Sequence, residues 1–326
     1  MKRKLVRLRC RVRRTPDWTI DRAGVPRPTG VRVLLAGWFS WEGTGTTAGD
    51  LLARDVACKW LERAGRAYDV ANASPFGPGV DWREVDPAAY SEVLFVCGPL
   101  TPHYTPLRDL LRRFAGSRHL GLDVSMVEDP ERWNPFDVLL ERDSVRRARP
   151  DLAFAAREPR VPLVGIVLVE PYTPEYPRRD KQDTARAAAL RVLDSRPLTR
   201  VSIDTRLPEN PGGLRTAAEV ESLIAGMDAV VTTRLHGLVL AIKNGVPALV
   251  IDPVQGGSKL LRQAAAIGWP VVRTPEALDD RALRADLDLC LRDAGRELAR
   301  ECAGRARSLL EEVERELAAA LSGPSR

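Results

Sequence analysis

The sequence predicts an α/β protein with two domains, each built on a parallel sheet. Its 326 residues suit two domains of roughly 150 residues. Short apolar runs alternate with helix-like segments along most of the chain, which is typical of parallel sheets. A charged stretch with two prolines, residues 155–162, separates two such regions. We therefore expect a basic extension and linker at 1–29, one domain at 30–157 and a second at 158–326.

In the first domain, apolar β-branched runs predict strands and helical periodicity predicts helices. A Gly/Thr-rich loop, residues 42–50, separates the first strand from the first helix and has the form of an anion-binding turn. It contains neither a Walker A motif nor a GxGxxG fingerprint, and its Asp50 could contact substrate or cap the helix. The predicted strands are 31–36, 93–97, 120–124, 138–140 and 152–154, and the helices are 51–64, 105–114 and 144–147.

The second domain repeats the alternation and then ends in a long helical segment, residues 278–321. We expect the Leu and Ala side chains of that segment to pack on the core and its Arg and Glu side chains to face solvent. The predicted strands are 163–169, 200–204, 229–233 and 248–251, and the helices are 181–193, 216–225, 238–245 and 259–267.

The net charge of +6 is concentrated at the N-terminus. Residues 1–14 contain many Arg and Lys and no acid, while the remainder is near neutral, so the basic balance does not predict nucleic-acid binding. Apolar and basic residues alternate there, as in a strand with one basic face. Such a strand could pair with a sheet edge, contact an anionic lipid surface or polymer at the membrane periphery, or form a tail without a function.

The lengths of the apolar runs and the spacing of the cysteines predict the cellular compartment and the absence of a metal site. No apolar run reaches the ~18 residues of a membrane span, and no signal peptide is visible, so we expect a cytoplasmic protein. The five cysteines are scattered and form no CxxC pair. We therefore expect reduced thiols, without a zinc site or a disulfide framework.

The most informative stretch runs from Ala229 through Thr233-Arg234-Leu235-His236-Gly237. A buried strand feeds a helix here, with a cation and an imidazole at the joint. Ligands bind at the carboxyl ends of strands in open α/β sheets, and helix N-termini favour anions. We expect an anionic small-molecule ligand, although Arg234 could instead pair with a nearby acid such as Asp228.

A second loop, residues 255–259, precedes another helix. Gly257 and its neighbouring glycine would expose backbone N–H groups, Ser258 can donate or cap, and Lys259 adds a positive charge. Together these groups suit a phosphate, and a plain solvated loop is the alternative.

These motifs resemble those of the polysaccharide pyruvyl transferases. The similarity covers Thr-Thr-Arg-Leu-His-Gly, an apolar helix, Gly-Val-Pro, an apolar strand and a later Lys, and is strongest over residues 218–270. A second block, Arg142-Asp143-Ser144 followed by Pro150-Asp151, resembles the family's Arg-Asp…Ser…Pro-Asp element, and Gly49-Asp50 resembles the end of its first loop. The chain departs from the family where Gly98-Pro99 replaces several consecutive glycines.

The resemblance implies two Rossmann-like domains facing a cleft, in a GT-B-like arrangement. It implies transfer of the pyruvyl group of phosphoenolpyruvate to saccharide hydroxyls, as a ketal, without a metal or cofactor. Arg234, Arg142 and Lys259 would hold the donor and His236 would protonate its methylene carbon. Leu235, Ser258, Gly257 and Asp50 complete the expected binding set; Arg142 could instead form a salt bridge at the hinge.

Two other functions remain open at this point. One is a nucleotide-sugar-dependent glycosyltransferase of the same architecture, and the other is a non-catalytic carbohydrate-binding homologue. Glu170, Tyr172 and Asp204 follow predicted strand ends and could face an acceptor sugar or act as a base. The sequence leaves open both the acceptor, which could be a polymer, a glycolipid or a glycosylated metabolite, and the oligomeric state.

Overall fold

The computed structural model describes residues 18–169, 178–208 and 210–322. The chain divides into two compact units, unit 1 at Met1–Glu158 and unit 2 at Pro159–Arg326. The basic segment 1–14, Glu170 and Tyr172 lie outside the described residues, so the expectations for them stay predictions.

Unit 1 contains a five-stranded parallel sheet with the order β2-β1-β3-β5-β7, and a two-stranded parallel pair, β4-β6. Helices α1 and α2 cover the larger sheet on its two faces. The elements are β1 Arg32–Gly37, α1 Ala48–Arg63, β2 Tyr68–Val70, β3 Tyr90–Val96, β4 Pro99–Leu100, α2 Thr105–Arg113, β5 Arg118–Leu122, β6 Ser125–Met126 and β7 Val138–Leu140.

Unit 2 contains a second five-stranded parallel sheet, with the order β12-β11-β10-β8-β9. Its elements are β8 Leu163–Val167, α3 Gln182–Asp194, β9 Thr199–Ser202, α4 Ala217–Ala225, β10 Ala229–Thr232, α5 Leu235–Lys243, β11 Ala248–Ile251, α6 Lys259–Ile267, β12 Val272–Arg273, α7 Asp280–Cys290 and α8 Asp293–Ser322. The α/β class with parallel sheets is therefore confirmed.

The two larger sheets share one topology. In each, the second strand lies beside the first and the third strand lies on the first strand's other side. The chain therefore reverses its direction of travel between β1 and β3 in unit 1, and between β8 and β10 in unit 2. Such switch points, at the carboxyl ends of the strands, are where open α/β sheets bind ligands.

Burial explains why the central strands are apolar throughout. Every residue of β10 and β11 is buried, because helices cover both faces of a parallel sheet. Unit 2 has one core cluster, which includes both strands together with the inner faces of its helices. Unit 1 has two clusters, one on each face of its sheet.

Several local predictions were wrong. Residues 152–154 lie in a 3-10 helix, Leu152–Ala155, because Asp151 caps its start by accepting from the Ala153 N–H at 2.8 Å. Residues 144–147 form a tight turn instead of a helix, with the Ser144 N–H bonded to the Arg147 carbonyl at 2.8 Å. The last leucines of α8 are exposed and do not pack on the core.

Among the described residues, every helix is too short or too polar to cross a membrane.

Candidate functional site

Thr232 and Thr233, at the end of β10, hold the strand ends together at the switch point of unit 2. The Thr232 hydroxyl donates to the Val167 carbonyl at 2.9 Å and accepts from the Arg234 N–H at 2.9 Å. The Thr233 hydroxyl accepts from the Val169 N–H at 3.0 Å. These bonds tie the ends of β10 and β8 together and place Arg234 at the edge of the sheet.

Gly237 lets helix α5 approach that strand end closely. A Cβ at this position would lie 2.1 Å from Thr232 Oγ1 and 3.0 Å from Val167 Cγ1, well inside van der Waals contact. The close packing of Gly237 on Thr232 therefore explains why a glycine follows the threonine pair at this spacing in the Thr-Thr-Arg-Leu-His-Gly motif.

Helix α5 begins without a cap. Arg234 occupies the N-cap position in an extended conformation, its side chain does not cap the helix, and the first turn of the helix contains no acid. Within the described part of the chain, the N–H groups of Leu235, His236 and Gly237 have no acceptor. The positive end of the helix dipole is therefore available to an anion.

A cavity of about 350 Å³ lies at this edge of unit 2. The starts of three helices line it: Gln182 from α3, Leu235 and His236 from α5, and Lys259 from α6. Its other lining residues are Val169, Asp180, Thr205, Arg206, Thr233, Arg234, Pro253, Val254, Ser258 and Leu260. Among the described lining residues, cations outnumber acids, and this balance favours a negatively charged ligand.

Arg234 is held in place from two sides. Its side chain is 15% exposed, its Nε donates to the Leu168 carbonyl at 3.1 Å, and its Nη2 lies 3.8 Å from Asp204 Oδ1. The alternative pairing with Asp228 does not occur, because Asp228 accepts from Arg160 and Arg296 instead. Arg234 thus keeps its place in the cavity lining.

Asp204 acts as a counter-ion in the structure. Burial tends to raise its pKa, but hydrogen bonds from Arg206 and the charge of Arg234 lower the pKa below its ordinary value. Arg206 donates from Nε at 3.0 Å and from Nη2 at 2.8 Å to Asp204 Oδ2. The carboxylate joins two guanidinium groups of the site, which is a different role from the expected base or acceptor contact. The sequence pattern gave no sign of Arg206, because its position depends on this pairing.

His236 is exposed at the start of α5. It lines the cavity, and its ring makes no hydrogen bond to any described residue. An imidazole in this position can reach a ligand bound at the helix start.

The loop before α6 folds around a buried acid. Asp252, fully buried at the end of β11, accepts from the Ser258 hydroxyl at 2.9 Å, the Ser258 N–H at 2.6 Å, the Leu261 N–H at 3.1 Å and the Val254 N–H at 3.1 Å. A buried carboxylate needs such donors, so the protein's own acid occupies the positive end of α6.

This arrangement corrects the expectation for the glycine loop. The Gly257 N–H donates to the Val254 carbonyl at 2.8 Å and the Gly256 N–H donates to Glu276 Oε1 at 2.9 Å. The Ser258 hydroxyl also points inward, so the loop does not present these groups to a phosphate. Lys259 lines the cavity with an exposed side chain.

Arg142 forms a polar cluster within unit 1. It donates to Asp143 at 2.9 Å, to Asp151 at 2.6 Å, and to the Ser125 hydroxyl. The second sequence block is therefore one ion-paired cluster whose described partners all lie in unit 1, and a hinge role for Arg142 stays a prediction. A donor-binding role for Arg142 stays a prediction.

Asp50 belongs to a capping box at the start of α1. Its carboxylate accepts from the Thr47 N–H at 2.7 Å, and its own N–H donates to the Thr47 hydroxyl at 3.3 Å. Asp50 is therefore not the N-cap of α1, because Thr47 occupies that position. Asp50 lies three residues later and supports the cap through its carboxylate, and a substrate contact of Asp50 stays a prediction.

Aromatic rings fill the unit 1 switch point. Trp38 follows β1 and stacks on Tyr104, with ring centroids 5.0 Å apart. A Cβ on Gly98 would lie 1.6 Å from Trp38 Nε1, so glycine is required where the chain passes this ring. The Gly98-Pro99 departure from the family pattern thus accompanies an aromatic pair that the sequence did not indicate.

Two strained residues follow β3 and β5 at the same edge. Cys97 and Asp123 both have φ of 58°, and no other described residue except glycine has a positive φ. Asp123 is buried, its Oδ2 has no partner among the described residues, and burial raises its pKa to about 6. Backbone strain of this kind concentrates at functional sites.

No group of three or more metal-ligating side chains comes together anywhere in the described ranges.

The region that carries Arg234 and His236 corresponds to a known family model. Residues 151–253 match polysaccharide pyruvyl transferase. The suspected resemblance to the polysaccharide pyruvyl transferases is thereby confirmed for this region. Lys259, Ser258, Gly257, Arg142 and Asp50 lie outside the matched residues.

Other comparisons are weaker. No curated protein matches the sequence. Among solved structures, spinosyn rhamnosyltransferase SpnG complexed with thymidine diphosphate shares 15% identity over 87% of this chain and 100% of its own, with a TM-score of 0.32. Spinosyn forosaminyltransferase SpnP shares 14% identity over 88% of this chain and 99% of its own, with a TM-score of 0.29. Because both TM-scores lie under 0.5, these matches carry no argument about activity.

Proposed function

We propose that the chain is a phosphoenolpyruvate-dependent pyruvyl transferase that modifies hydroxyls of a saccharide or glycosylated acceptor. The observation that carries the proposal is the uncapped start of α5, open to a cationic cavity and flanked by Arg234 and His236. The polysaccharide pyruvyl transferase match over residues 151–253 supports the same reaction class.

Phosphoenolpyruvate fits the charge pattern of the cavity. The N–H groups of Leu235, His236 and Gly237, which have no acceptor among the described residues, suit its phosphate. Arg234 and Lys259 supply positive charge for the carboxylate and phosphate. Protein charges alone can neutralise such a donor, so we assign no metal or organic cofactor to the step.

The proposed chemistry begins with the acceptor hydroxyl. Its oxygen bonds to C2 of phosphoenolpyruvate as its proton is lost, while C3 gains a proton and becomes a methyl group. The bond from C2 to the phosphate oxygen then breaks, and inorganic phosphate leaves with the bonding electrons. A neighbouring hydroxyl bonds to C2 and closes the ketal. Of the two hydroxyl protons lost, one replaces the proton that C3 gained and the other passes to the released phosphate or to solvent. We assign the C3 proton to His236, because an imidazole can act as a general acid and this one lines the cavity at the helix start.

Thermal unfolding with phosphoenolpyruvate tests the donor assignment. A ligand at a hundred times its Kd adds about 2.7 kcal/mol of stability, and we expect this gain in wild type and its loss in Arg234→Ala. Arg191→Ala is the matched control, since Arg191 pairs with Asp280 at 3.1 Å on the exposed side of α3 and should leave the gain intact. Stabilisation by UDP- or GDP-sugars alone would favour glycosyl transfer, and no response to any of them would favour a non-catalytic protein.

His236→Asn separates proton transfer from binding. We expect this variant to keep the stabilisation by phosphoenolpyruvate and to lose turnover by roughly 10²–10⁴-fold, the usual contribution of a positioned acid. In D₂O, wild type should place deuterium in the methyl group of the product. Full turnover in His236→Asn would contradict the assignment.

A further inference from the structure

The second half of α8 extends beyond the core of unit 2. Ala299, Cys302 and Ala303 are buried in that core, whereas every residue from 307 to 322 is exposed. At about 1.5 Å per residue, this exposed segment is roughly 24 Å long. We call residues 306–321 the α8 arm.

One side of the α8 arm is apolar. Leu310, Val313 and Leu317 are 63%, 54% and 58% exposed, with Ala306 before them and Ala320 after them. Their spacing alternates between four and three residues, which is the heptad pattern of a helix that pairs with another helix. Leu309 and Leu321 widen the stripe. Exposed large apolar residues are normally scattered singly, so a continuous stripe indicates a contact surface.

The charges beside this stripe indicate which partner fits. Arg307 and Glu314 follow Ala306 and Val313, on one flank of the stripe, and Leu309 and Glu316 lie on the other flank. In an antiparallel pair of identical helices, equal flanks meet, so each Arg307 faces Glu314 of the partner subunit. On the other flank of that pair, Leu309 lies opposite Glu316 of the partner subunit. In a parallel pair, opposite flanks meet, so leucine faces glutamate on both sides and no Arg–Glu pair forms. The charges therefore complement each other in the antiparallel pair only.

We propose that the α8 arm pairs with the α8 arm of a second copy of this chain, as a short antiparallel coiled coil. Pairing would bury the two apolar stripes away from water, and two Arg307–Glu314 ion pairs would lie beside them. Because the stripe spans only a few helical turns, the association should depend on protein concentration. This inference is independent of the proposed reaction.

Sedimentation velocity of the full chain over a range of concentrations tests the pairing. We expect the mass to rise from the 36.0 kDa of one chain towards that of a dimer. Leu310→Glu combined with Leu317→Glu should leave a monomer at every concentration. Both side chains are exposed, so the fold should persist, which circular dichroism checks. Leu190→Glu, at an exposed leucine on α3, is the control and should dimerise like wild type.

Charge reversal tests the direction of the helices. Arg307→Glu or Glu314→Arg alone should raise the dimer Kd by roughly tenfold, because each places like charges opposite each other in both pairs. The double reversal should restore the wild-type Kd. A monomer at all concentrations, a dimer that survives the leucine substitutions, or a double reversal without recovery would overturn the proposal.

Discussion

At the residue scale, Asp123 is the most unusual side chain of unit 1. It follows β5 with φ of 58° and is buried, and burial raises its pKa to about 6 from an ordinary value of 3.8. Between these two pH values the folded chain holds a proton on Asp123 that the unfolded chain has lost. The contribution of this group to stability is therefore fully present at low pH and declines as the pH rises through that window.

Asp123→Asn should remove this decline. Asparagine tolerates a positive φ as well as aspartate does and carries no charge, so the variant should gain stability relative to wild type between pH 4 and 6. Urea unfolding of both proteins at a series of pH values measures the difference. Burial lowers the pKa of His119, which acts in the opposite direction but cancels between the two proteins. Parallel curves for wild type and variant would contradict the shifted pKa.

Some residues of the candidate site could be predicted from the sequence and others could not. Arg234 and His236 were identifiable because they directly follow a buried strand and precede an apolar helix, two local patterns. Arg206 was not, because it joins the site through a carboxylate that also faces Arg234. The Ser258 hydroxyl was misjudged because its partner, Asp252, precedes it by one loop.

At the element scale, the helices differ in whether the protein's own side chains satisfy the N–H groups at their starts. Thr47 with Asp50 and Thr216 with Glu219 form capping boxes, and their three-residue spacing is readable from the sequence. Asp252 satisfies α6 from a preceding strand, which no local pattern indicates. Helix α5 alone among these four has neither device. This open start supports the proposal that an anion binds there.

Gly237→Ala tests the close packing of α5 on β10. The added methyl group would overlap Thr232, so the helix start should shift, with a loss of about 1–3 kcal/mol of unfolding free energy and weaker phosphoenolpyruvate binding. Gly304→Ala is the matched control, because a Cβ there meets nothing within 4 Å in helix α8. That variant should gain about 0.5–1 kcal/mol. Chemical unfolding compares the two, and equal stabilities would rule out the packing explanation.

At the scale of the whole molecule, the alternation of strands and helices was sufficient to predict the class. It could not predict strands as short as β2 and β12, which contain three and two residues and depend on their neighbours for pairing. The exposed arm of α8 was missed for a different reason. An apolar stripe shows that a helix face needs a partner, but it does not show whether the same chain provides one.

Unit 2 should fold and bind donor without unit 1. Its core cluster and every described lining residue of the cavity lie within Pro159–Arg326. We expect residues 159–326, expressed alone, to unfold cooperatively and to be stabilised by phosphoenolpyruvate as the full chain is. Calorimetry with and without phosphoenolpyruvate measures both properties. A folded fragment without the response would show that donor binding requires residues of unit 1.

The strand orders also determine when each sheet can form during synthesis. Every strand of the unit 1 sheet precedes every strand of the unit 2 sheet, so all partners of the first sheet have been synthesised before β8 is made. Within each sheet the first strand made is an inner strand with a neighbour on each side. The nascent chain can therefore add strands outward from it, and domains that complete one after another in this way expose less unpaired edge to neighbouring chains.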